Sequence, residues 1–175
     1  MTQSVIRLAP TTPSVRFGHK SVRVLPMPRA PFQVLIFPYI KNEDGTIEYA
    51  IFRRSDDNYW QAIAGGGEEG ETPLEAAKRE FQEETESLEE YDIIVLDCSA
   101  DIPVIGVTGE YTWGDDVFVI PEHSFGIRIQ NRQLKLSREH VEYKWVSYDE
   151  AMSLLKWDSN KNALWELNER LTRKH

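Results

Sequence analysis

The chain has 175 residues, 41% hydrophobic and 28% charged, which is one globular domain's worth of sequence and excludes disorder along the whole chain. A net charge of -9 argues against nucleic-acid binding by simple phosphate attraction, and a single cysteine, Cys98, excludes an intrachain disulfide or a cysteine-based zinc site. The longest apolar stretch, residues 32–40, is too short for a membrane span and contains Pro38, and the chain opens without a signal-peptide layout, so a soluble cytoplasmic protein with no membrane partner is expected.

Residues 1–28 are expected to be an irregular N-terminal extension, interrupted by Pro10, Pro13, Pro26 and Pro28 and admitting at most an edge strand over 21–25. The domain proper is taken as 29–175. Residues 32–37 are a β-branched and aromatic run, the pattern of a buried strand. The turn residues at 42–45 lead into a second strand over 47–53, its hairpin partner. Gly65, Gly66, Gly67 and Gly70 then predict a loop. Thr72, Pro73 and Glu75 form a capping box that opens a helix to about Glu86, with Leu74, Ala77 and Phe81 on its buried stripe. Further strands are expected over 91–98, 117–120, 124–129 and 142–146, with a loop-rich stretch at 100–116. Ser147 and Glu150 cap a second helix. Asp158 or Ser159 caps a last one carrying Ala163, Leu164, Leu167 and Leu171. Strands mixed with three helices predict one α/β sandwich.

The charge is unevenly spread. Residues 1–31 carry five basic side chains and no acidic one, whereas residues 68–90 hold ten Glu against Lys78 and Arg79. Glu80, Glu83 and Glu84 stand at i, i+3 and i+4 and so share one helical face. A solvated acidic face is the plain reading. The alternative is a site for a hard divalent cation, which takes carboxylate oxygens and would relieve the repulsion between like charges.

The spacing favours the second. Gly65-x5-Glu71-x7-Arg79-Glu80-Phe81-x-Glu83-Glu84 resembles the Nudix box, in six fixed positions and the first bulky apolar one. The box's closing Gly is Glu86 here and its last apolar position is Ser87, a departure that leaves the helix free to run slightly further. The resemblance implies an α/β/α sandwich with a mixed sheet and hydrolysis at a pyrophosphate linkage by water attack on phosphorus. It also implies Mg²⁺ or Mn²⁺ on Glu80, Glu83 and Glu84, with the Ala64 carbonyl as a further ligand and Arg79 paired to Glu71 to orient the cluster. Gly65 and its neighbours would let the chain approach metal and phosphate.

The flanks carry a second resemblance. Tyr59-Trp60-Gln61-x3-Gly65, Glu139-His140-x2-Tyr143-Lys144-Trp145 and Ser159-Asn160 are similar to dihydroneopterin triphosphate and dATP pyrophosphohydrolases, over about residue 29 to the C-terminus. A nucleoside or pterin triphosphate is then the implied small-molecule partner, cut to the monophosphate and pyrophosphate. Glu139 becomes an extra metal ligand or the base, against a plain surface role. Arg53 and Arg29 match phosphate-contacting positions, against an exposed salt bridge for Arg53. Trp60 would stack on a base or pterin, or be a buried structural Trp. His140 and His123 are weaker candidates, and Cys98, Trp145 and Trp165 read as core. Three alternatives stay open: a hydrolase of dinucleoside polyphosphates, one of another nucleoside diphosphate derivative, and a non-catalytic nucleotide-sensing module. An oligomer is also open.

Overall fold

The computed structural model describes residues 28–87 and 90–173. The extension before residue 28, with its edge strand over 21–25, lies outside the described residues. The apolar run predicted at 32–37 sits within β1, Arg29–Lys41. Asn42 and Gly45 close the turn into β2, Ile47–Arg54, by a Gly45 N–H to Asn42 C=O bond of 3.0 Å. Next come β3, Trp60–Gln61, β4, Ile63–Glu68, and α1, Pro73–Thr85. The rest is β5, Asp92–Pro103, α2, Val104–Thr108, β6, Val119–Arg128, β7, His140–Val146, α3, Tyr148–Leu154, and α4, Asp158–Thr172.

Several expectations change. The glycines at 65–67 form strand β4 rather than a loop, because their backbone pairs antiparallel with β1 (Gln33 with Gly66, Val34 with Gly65). The two strands expected at 117–120 and 124–129 are one continuous β6. The stretch at 100–116 holds the end of β5 and the short α2, which makes four helices among the described residues instead of three. The residue before α4 is Trp157, which makes no side-chain cap, and Asp158 is already helical. Trp165, expected in the core, is exposed.

The sheet is mixed. The order β3-β2-β1-β6-β5 has β1 and β6 parallel and its other neighbours antiparallel, while β4 pairs with β1 and β7 with β2. One face carries Val34, Ile36, Phe52 and Phe125 against Ala77 and Phe81 of α1. The other carries Leu35, Phe37, Tyr49 and Ile51 against Ala151 of α3 and Ala163, Leu164 and Leu167 of α4. This is the expected α/β/α sandwich. Phe81 is fully buried. Burial of such a side chain contributes roughly 1.5–3 kcal/mol and fixes α1 on the sheet.

The start of α1 follows its sequence closely. The Thr72 hydroxyl accepts from the Glu75 N–H, and the Glu75 carboxylate accepts from the Thr72 N–H. Its end does not extend as the missing glycine suggested. Glu86 takes the left-handed conformation itself, at φ 47°, and its N–H donates to the Gln82 carbonyl at 2.8 Å. A side chain there costs about 1 kcal/mol, and its exposed ion pair with Lys135 returns little. Glu86→Gly is therefore expected to raise stability by about 1 kcal/mol, read as a higher urea midpoint at unchanged slope.

Candidate active site

Arg79 organises the acidic face of α1. Its Nε and Nη2 donate to the two oxygens of Glu71 at 2.8 and 2.9 Å, a bidentate pair. Nη2 also reaches the Gly66 carbonyl at 2.9 Å, tying α1 to β4. Nη1 donates to Glu80 at 2.8 Å and to Glu83 at 3.2 Å. Glu71 is fixed in turn by the Glu68 N–H at 2.8 Å. The hydrogen bond from Arg79 holds the Glu71 carboxyl below its usual range against the opposing effect of burial. Arg79 and Glu71 are thus paired, as expected.

Glu84 turns the other way. Its Oε2 accepts from the Ser137 hydroxyl at 2.5 Å and lies 2.9 Å from Nδ1 of His140, which is almost wholly buried. Burial is the largest single influence on Glu84 and pushes its carboxyl up. His140 and Ser137 together outweigh it, so the group ends below the ordinary value and is charged at neutral pH. Glu80 goes in the opposite direction: burial raises it, Arg79 opposes, and the nearby charges of Glu83 and Glu84 add to the rise. Among the described residues no three acidic, His or Cys side chains converge as a ready cation cage. The carboxylates are instead divided between Arg79 on one side and His140 with Ser137 on the other.

Arg79, Glu80, Glu83 and Glu84 line one open cleft of about 970 Å³. Ala64, Gly65, Arg29 and Glu139 line it with them, as the sequence suggested. Arg53 and Trp60 do not. Arg53 pairs with Glu142 at 2.9 Å and donates to Asn58 at 2.7 Å. On β2 it is the neighbour Arg54 that lines the cleft, held by Asp56 and lying 3.3 Å from Glu139, because successive strand residues face opposite ways. Trp60 packs into the α3/α4-side core with the Lys144 ammonium 4.9 Å from its ring centre, while its neighbours Tyr59 and Gln61 face the cleft. His123 meets the Phe32 ring on the α1 side and is not a cleft residue.

The NUDIX domain family matches residues 33–166. The chain belongs to the Nudix family. A Nudix hydrolase structure from Listeria monocytogenes is 43% identical and superimposes with a TM-score of 0.72, covering 81% of this chain and 94% of that one. The dihydroneopterin triphosphate diphosphatase of Escherichia coli K12 is 28% identical over 78% of this chain and 91% of its own length. The asymmetrical bis(5'-nucleosyl)-tetraphosphatase of Rattus norvegicus is 30% identical over 72% and 82%. This Nudix chain is accordingly a pyrophosphohydrolase. No helix among its described residues is long and apolar enough to cross a membrane.

In this Nudix domain the glycines serve close approach more than flexibility. A Cβ on Gly65 would lie 2.0 Å from the carboxyl carbon of Glu80. Gly65→Ala must therefore swing the Glu80 carboxylate off β4 while leaving the core untouched. A misplacement of that size is expected to lower kcat on the order of 10²-fold, with far-ultraviolet circular dichroism unchanged. Sequence reasoning missed Arg54, Ser137, Gln33 and Glu122 as cleft-related groups, and ranked His140 only as a weaker candidate. Strand alternation from Gln61 could have found Tyr59; Ser137 has no local signal.

Proposed function

We propose that the chain hydrolyses a nucleoside or pterin triphosphate to the monophosphate and pyrophosphate, with Mg²⁺ or Mn²⁺ as cofactor. The observation that carries this is the acidic face of α1, organised by Arg79 against β4 and opening into a cleft flanked by Arg29 and Arg54. The donor set suits a hard cation. It consists of the carboxylates of Glu80, Glu83, Glu84 and Glu139, with Ala64 lining the same cleft. When bound, the cation supplies charge neutralisation of the polyphosphate and lowers the pKa of a bound water.

The chain's own groups do the rest. Arg29 and Arg54 attract and align phosphate oxygens at the cleft. Arg79 and Glu71 hold Glu80 and Glu83 in position. His140 and Ser137 keep Glu84 charged and oriented, able to accept a proton from the attacking water. Glu139 is the second candidate for that base. The dihydroneopterin triphosphate relative supports the pterin choice, and the tetraphosphatase relative, together with the open cleft, supports a dinucleoside polyphosphate as a second reading.

A panel of dihydroneopterin triphosphate, dATP, the common NTPs and diadenosine tetraphosphate, assayed with Mg²⁺, tests it. Pyrophosphate and the monophosphate in equal amounts from a triphosphate are expected. Orthophosphate as the leaving product, or a nucleoside triphosphate from the dinucleotide as the preferred reaction, would overturn it.

A further inference from the structure

The cleft continues past α1 to the other side of the sheet, where α4 begins. There β1 and β6 run parallel and bring Gln33 opposite Glu122. Glu122 is only 3% exposed, yet it lines the cleft. Gln33 Nε2 donates to its Oε2 at 2.9 Å, and the Ser159 side chain lies near enough to favour the charged carboxyl. Its other oxygen, Oε1, is buried with no hydrogen-bond partner. A buried acceptor left unpaired carries the full cost of its desolvation, so such a group calls for an explanation.

The surroundings indicate what would pair with it. Ile102, Pro103 and Val107 give the same cleft an apolar wall, and Gln61 and Asn160 add neutral amides. Asn160 is already committed, accepting from the Ala62 N–H at 2.8 Å. An apolar wall with a few fixed polar atoms suits a heterocyclic ring. Gln33 is bonded to Oε2, and Oε1 can take a further N–H. Burial, which raises the carboxyl against the opposing effect of Ser159 and Gln33, makes that extra donor more valuable.

We propose that the free oxygen of Glu122 reads the head group, accepting a hydrogen bond from a ring N–H or amino group of a planar heterocycle whose phosphates lie over α1. The 2-amino-4-oxo edge shared by guanine and a reduced pterin has two such donors side by side, so it is the favoured ligand chemistry. This rests on the triphosphate reading above. Glu122 is then a specificity residue: it acts on the ring and not on phosphorus.

The experiment compares dihydroneopterin triphosphate, GTP and purine riboside triphosphate, which lacks every ring N–H and amino donor. They are tested on the wild type, Glu122→Gln and Glu122→Leu, with thermal melts to confirm folding. In the wild type, loss of the donors is expected to raise KM about 10- to 100-fold, the range for one lost hydrogen bond to a charged group. In a folded variant that ratio is expected to collapse to within about threefold with kcat on the donor-free substrate unchanged, roughly what deletion of both partners leaves. Whether the pterin or GTP shows the higher wild-type kcat/KM identifies the source of the edge. An undiminished ratio in the folded variants overturns the inference while leaving the hydrolase reading intact. Calorimetric binding of GMP and purine riboside monophosphate measures the same ratio without turnover. Absence of hydrolysis on every triphosphate would therefore overturn the triphosphate reading alone.

Discussion

Glu84→Gln is expected to lower kcat by about 10²- to 10⁴-fold, the range for losing a positioned acid–base group, while the protein stays folded. The side chain is buried at the centre of the site, and Ser137 and His140 donate to one of its oxygens. Glutamine keeps the shape and one acceptor but removes the charge that those partners stabilise. It also reduces the negative charge offered to a cation by one full unit. Folding should weaken by only about 1–2 kcal/mol, because a hydrogen bond to a charged group is replaced by a neutral one. Activity and melting temperature measured together separate the two effects. A variant as active as the wild type would remove Glu84 from the chemistry.

Arg79→Lys carries the second large effect. Lysine keeps the charge but cannot make the fork to Glu71 and at the same time reach Gly66, Glu80 and Glu83. The loss is expected to cost about 2–3 kcal/mol, the scale of charge-assisted hydrogen bonds, and to lower the melting temperature by about 4–12 °C for a chain of this size. Activity should fall about 10- to 100-fold through misplacement of Glu80 and Glu83. A pH signature accompanies it. Glu71 has a folded pKa below its ordinary value of 4.5, chiefly through Arg79. Its stabilising contribution is complete above that ordinary value and is lost as pH falls through the lower folded value. The wild type should thus lose stability more steeply than Arg79→Lys in that acid window, as urea midpoints across it would show.

The box was readable because its chemistry is local. Carboxylates at i, i+3 and i+4 share a face on any helix, and Thr72, Pro73 and Glu75 announce where that helix starts. Features that depend on long-range pairing were not readable. The glycines at 65–67 have poor strand propensity, and only the β1 backbone makes them a strand. Arg54 replaced Arg53 because a shift of one strand position reverses the side-chain direction, and the register is set by β3 and β7. Glu122 has no local mark at all, since its partner Gln33 lies 89 residues away. Trp165 was legible and misread: it stands about 100° around α4 from buried Leu164, off the stripe. The end of α1 shows that a missing glycine did not remove the left-handed turn, which Glu86 adopts at a cost.

The opposed charges of the chain meet in one place as far as the structure describes them. The acidic helix, Arg29 from the basic residues 1–31, and Arg54 all border the same cleft. An acidic protein can hold a polyphosphate there if cations offset the carboxylates. The direct test is pyrophosphate release from dihydroneopterin triphosphate, followed with Mg²⁺, after EDTA, and after Mg²⁺ is restored. The account predicts turnover that EDTA abolishes and excess Mg²⁺ recovers. Turnover that persists undiminished in EDTA would contradict it.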